Sequence, residues 1–114
     1  MTPLEHGISL FNAQAFWDAH EAWEHEWLTA ENPHKQFLQG LIQLAAAYYH
    51  VQRGTLRGGV RLFDAALKRL AAFAPDYSGV ARDAAVTSAL LHRERIARGE
   101  RIEAGELPKL GYNP

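Results

Sequence analysis

The segment F-W-D-A-H-E-A-W-E-H-E-W, residues 16–27, holds all three tryptophans of the chain, two of its six histidines and four carboxylates. On a helix each residue turns by about 100°, so Phe16, His20, Trp23 and Trp27 share a face. Trp17, Glu21, Glu24 and Leu28 lie on its flank. His20 and Glu24, spaced i and i+4, can then meet, and an imidazole beside a carboxylate can hydrogen-bond it or share a metal ion with it. Polar groups on an aromatic face need partners, because burying them unpaired costs free energy. The same need is met without any function if the two satisfy each other, or bond Gln43 or a tyrosine, and simply fix the packing. Two ligands are too few for a closed metal site, so a third donor would have to come from elsewhere. Asp64 is one candidate to close the site from another helix.

The familiar catalytic patterns do not fit. H-E-x-x-H is broken, since His20-Glu21-Ala22-Trp23 leads to Glu24 and not to a second histidine. The one E-x-x-H, Glu31 to His34, straddles a turn at Pro33. Ser9, Ser78 and Ser88 stand in no nucleophile-elbow context, and no glycine-rich phosphate loop or calcium loop is present.

The elements that must position these residues are helices. Asn12 can cap a helix over about 13–29, with Phe11 and Phe16 as a hydrophobic staple. Asn32 and Pro33 can start a second helix, which Gly54 stops after Arg53. Thr55 can cap a third, running to Pro75, and a fourth follows the Asp76–Gly79 loop to about Arg98, with Gly99 past its end. From about residue 100, Gly105, Pro108, Gly111 and Pro114 predict an irregular tail. Short connections make successive helices antiparallel neighbours. The expectation is an all-α fold: a small antiparallel bundle of about four helices, one domain over 1–114. Trp17, Trp23, Trp27, Leu41, Tyr48, Phe63 and Leu67 are expected in or near its core, and Val80, Val86, Leu90 and Leu91 line the inner side of the last helix. The helix over 33–53 has no Asp, Glu, Lys or Arg between Lys35 and Arg53. Its apolar arc is wider than one neighbour buries. It is therefore central, or half of it meets a second copy of the chain, which predicts a homodimer.

At 114 residues, 47% hydrophobic and net charge −1, the chain suits a folded single domain. No basic excess points to nucleic acid or a membrane surface, and neither partner is expected. There is no cysteine, which excludes disulfides and thiolate metal sites. The N-terminal residues lack a signal-peptide pattern, and the cytoplasm is the expected location.

Three blocks together carry a resemblance: L-F-N-A-Q-A-F-W-D-A-H-E-A-W-E-H-E-W, then F-L-Q-G-L-I-Q-L-A-A-A-Y-Y-H, then R-G-T-L-R-G-G-V-R-L-F. In order and spacing, over about residues 8–80, the chain resembles a family of small prokaryotic helical proteins called domain of unknown function 309. The motif H-x-x-x-E-x-x-W of that family falls on His20, Glu24 and Trp27. The resemblance implies an all-helical fold and a metal-binding role for the motif, with a divalent ion as the cofactor. It implies no activity. Gly59 after Gly58 departs from the family, where alanine is frequent, and the last helix and tail match poorly.

Three functions follow as expectations. The first is a binding module, with His20 and Glu24 toward a metal, or with Trp17, Glu21, Trp27, Gln43 and Tyr48 lining a pocket for a small ligand. The second is a structural or interaction protein that self-associates through the helix over 33–53. The third is a metal-assisted hydrolase with Glu24 or Glu21 as general base.

Overall fold

A computed structural model describes residues 1–114. Five helices carry the architecture: α1 (Pro3–Asn12), α2 (Phe16–Trp27), α3 (His34–Arg53), α4 (Leu56–Leu70) and α5 (Asp83–Ala97). Two short strands, β1 (Val80–Ala81) and β2 (Gly111–Tyr112), pair antiparallel. The chain is mostly helical, as expected, but with one more helix and a small sheet in place of an irregular tail.

The additional helix is α1. Thr2 caps it, its hydroxyl accepting from the Glu5 N–H at 3.2 Å, with Pro3 in the first turn. Leu4, Gly7, Ile8 and Phe11 recur at helical spacing and are all buried. A side chain at Gly7 would run into the Trp23 indole, whose N–H donates to the Leu4 carbonyl at 3.1 Å. The helix expected to start after Asn12 therefore starts at Phe16, because the chain breaks where Gln14 takes a positive φ of 63°. Asn12 is the last residue of α1 and not a cap of α2. Its amide holds the tail, donating to the Leu110 carbonyl at 2.8 Å and accepting from the Leu110 N–H at 2.7 Å.

α3 is the central element, packed against α2 and α4, while α1 packs on α2 and α5 on α4. Phe37, Leu38, Leu41, Leu44, Ala45 and Tyr48 are fully buried within this one chain. The wide apolar arc of α3 is thus covered by its own neighbours, and the reason for expecting a second copy against it is met internally. Gly54 ends α3 in the left-handed region, as expected. Thr55 makes no cap to α4; its hydroxyl bonds His50 instead, 2.6 Å from Nδ1.

One of the seven core expectations is corrected: Trp17 is half exposed, whereas Trp27 and Leu67 pack, partly covered, against the core as expected. Leu90 and Leu91 face outward, whereas α5 turns Ala85, Ala89, His92 and Ile96 inward. Small side chains let α5 lie close to α4, so helix spacing and not side-chain size marks its inner face. Val80 is buried, but in β1. No helix is long and apolar enough to cross a membrane.

Candidate functional site

His20 and Glu24 meet as their spacing requires, with Nε2 3.1 Å from Oε1. The histidine side chain is only 15% exposed, but the glutamate is 49% exposed, so the pair is half open and not buried as a unit. Trp17 lies flat on the His20 ring, centroids 4.8 Å apart, and also touches Tyr49. This stack covers the imidazole from the outside, which is why Trp17 itself stays in solvent. The His20 Nδ1 is buried and has no hydrogen-bond partner in the chain.

The pair opens on a groove of about 510 Å³ between α2, α3 and α4. α2 contributes His20, Glu24 and Trp27, and Leu28 follows at its end; α3 contributes Gln39, Ile42, Gln43 and Ala46; α4 contributes Leu62. The helical period explains the α3 wall, since positions 39, 42, 43 and 46 fall on one face. The Gln43 amide is fixed by Arg69, whose Nε donates to its Oε1 at 3.1 Å. Lys35 places its ammonium 4.2 Å above the Trp27 ring.

Of the expected site residues, His20, Glu24, Trp27 and Gln43 come together around this groove. Tyr48 does not. It is fully buried on the far side of α3, where its hydroxyl hydrogen-bonds His92 Nδ1 at 2.8 Å, and burial raises its pKa far above the ordinary value. Glu21 is exposed and lies outside the groove wall. Trp17 reaches the site only through the back of His20. Asp64 does not close the site: its carboxylate pairs with Arg93 at 2.8 Å, and that partner holds its pKa below the usual range. Sequence reasoning assigns no site role to Leu28, Ile42, Ala46 or Leu62, because apolar residues at helical spacing read as core.

The donor set does not fit a resident metal ion. His20 Nε2 and Glu24 Oε1 could both face one cation, but no group of three His, Asp or Glu side chains converges anywhere in the chain. Nor does the groove hold a serine, threonine or other hydroxyl nucleophile.

The family model described as Domain of unknown function (DUF309) matches residues 4–62. That stretch begins in α1 and ends within α4, so it contains every residue that lines the groove. No curated protein matches the chain.

Proposed function

The chain belongs to the DUF309 family, and on that premise we propose that it is a binding module whose site is the groove at His20, Glu24 and Trp27. The observation that carries this reading is the half-open Glu24 carboxylate, held against His20 at the mouth of a groove with aromatic, amide and apolar walls. A structural pair would be closed off; this one presents an acceptor to the space beside it. Glu24 is the only formally charged residue in the lining. The groove therefore favours a ligand with hydrogen-bond donors or a positive charge, its apolar part resting on Ile42, Ala46 and Leu62. Trp27 already accepts a cation on its ring from Lys35. Gln39 and Gln43 can donate or accept, which fixes orientation and not charge.

A small organic ammonium is the probe that tests this. Titrating benzylammonium into the isotopically labelled protein is expected to give saturable shifts at the backbone amides of α2 around Glu24 and of α3 around Gln43. Glu24→Gln removes the charge at nearly constant shape and should abolish them. Absence of saturable shifts in the unsubstituted protein, or shifts unaffected by Glu24→Gln, would refute the reading. A parallel titration with zinc separates the metal alternative: two ligands without a third should bind it no better than any exposed His–Glu pair.

A further inference from the structure

Four arginines of the chain are not fully exposed: Arg69, Arg82, Arg93 and Arg95. Three of them have a carboxylate, Arg82 with Asp83, Arg93 with Asp64 and Arg95 with Glu106. Arg69 has none. Its Nε donates to Gln43 Oε1 at 3.1 Å and its Nη1 to Gln36 Oε1 at 2.9 Å, both neutral amides. Its Nη2 makes no hydrogen bond in the chain. Two amide dipoles orient this guanidinium without neutralising it.

The local sequence explains why it lies there. Gln36 and Gln43 are two turns apart on α3, and Gly40 stands between them. A Cβ at Gly40 would come within 3.0 Å of the Leu70 side chain and 3.2 Å of the Arg69 Cβ. The missing side chain lets α4 approach so closely that the Arg69 stem lies across α3 and its head reaches both glutamines. The ends of α3 and α4 meeting here have opposite polarity, so their dipoles offset and side-chain charges set the field.

Arg69 forms one wall of a groove of about 540 Å³ that is separate from the one at Glu24. Its lining is Pro33, Gln36, Ala65, Lys68, Arg69, Ala72 and Phe73. It holds two cations and no acid. We infer that this groove is an anion site for a small phosphate monoester with an apolar body. A pre-oriented guanidinium with its Nη2 free suits an oxygen of phosphate or carboxylate. Lys68 alongside adds a second positive charge, which favours a group carrying about −1.5 to −2 at neutral pH over a single carboxylate. Phe73, Pro33 and Ala72 then take the apolar body. The inference uses neither His20 nor Glu24. The two grooves share only the Gln43 amide that Arg69 holds, and Lys68→Glu, which leaves both of those residues in place, tests this groove apart from the other.

Three probes on the labelled full chain test it: phenyl phosphate, inorganic phosphate and benzoate. Phenyl phosphate is expected to give saturable shifts at Gln36 and at residues 68–73. Inorganic phosphate should bind the same residues more weakly, for lack of the apolar part, and benzoate about tenfold more weakly than phenyl phosphate, or about 1.4 kcal/mol. Arg69→Gln should weaken phenyl phosphate by roughly tenfold or more. Lys68 is exposed, so Lys68→Glu will fold, and by placing an acid beside Arg69 it should weaken binding to a similar degree. Benzoate binding as tightly as phenyl phosphate would overturn the phosphate assignment. Shifts that are absent, that fall elsewhere, or that survive Lys68→Glu would overturn the site.

Discussion

Two of the histidines that sit next to an oxygen, His92 and His20, are used in opposite ways. His92, on α5, is buried against α3; the Tyr48 hydroxyl and its Nδ1 share a hydrogen bond at 2.8 Å, and the two rings stand edge to face. His20 has a carboxylate at 3.1 Å that is half in solvent, and its own Nδ1 is left without a partner. The first arrangement is closed and mutually satisfying. The second leaves hydrogen-bonding capacity unspent beside a groove. A histidine near an oxygen is by itself uninformative; what separates packing from binding is whether the partner has somewhere else to look.

If that contrast is right, the largest effect belongs to His92. Replacing it with alanine leaves a cavity and a buried Tyr48 hydroxyl without its hydrogen-bond partner, which should cost about 2–4 kcal/mol by denaturant unfolding. A loss as small as that of an exposed residue would break the contrast at its closed end.

Acidity should act on the same pair. Burial first, and the neighbouring Arg95 second, hold the His92 pKa below its ordinary value of 6.5, with Glu106 opposing. The unfolded chain then binds the proton at higher pH than the folded one, so stability is complete above pH 6.5 and falls as pH drops from there toward the folded pKa. Asp64 and Glu106 are shifted down by Arg93 and Arg95, and their stabilisation is lost only at lower pH, below the ordinary carboxylate values of 3.8 and 4.5. His92→Asn keeps a group that can donate to or accept from Tyr48 but cannot titrate. Between pH 7.5 and 5.5, a range spanning roughly a unit either side of the free imidazole, unfolding of the unsubstituted protein should weaken more than that of His92→Asn. Parallel curves would assign the pH dependence to other groups.

The smallest effect is expected at Glu24. Its carboxylate is half exposed, so Glu24→Gln should change stability by no more than about 0.5 kcal/mol. A chelator should leave the melting temperature where it is, because no third ligand joins the pair. A large loss in Glu24→Gln would turn the open pair into a structural one, and a chelator effect would restore the metal reading.

Much of this was legible in the residues. The meeting of His20 with Glu24 follows from i, i+4 spacing alone, and the central place of α3 follows from its lack of charge between Lys35 and Arg53. α1 carried its own signs, a Thr-Pro start and Leu4, Ile8 and Phe11 in register. Gly7 obscured them, being poor for a helix and present only because the Trp23 indole fills its space. With α1 unread, Asn12 had a cap's composition in the wrong setting. Leu90 and Leu91 misled because size suggests burial, whereas Ala85 and Ala89 form the real seam. Two-residue strands are too short to show any alternation. Tyr48 is on the same helix as Gln43 but five positions on, about 140° around it, and so faces His92 and not the groove. Arg69 left no trace, since a cation two glutamines hold looks in sequence like any surface arginine.

The grip of Asn12 on Leu110 spans 98 positions of the chain. At synthesis rates of about 5–20 residues per second, Asn12 therefore exists for on the order of 5–20 s before its partner does. The contacts that order α1 and α2 are local and are available from the start; the tail that ties down the end of α1 is the last to arrive. The other anchor of α1, Trp23, which donates to Leu4 and lies under Gly7, is only 19 positions from Leu4 and so enters the chain far earlier. A lesion at Gly7 would accordingly be felt earlier in the life of the chain than one at Asn12, while the protein is still being made.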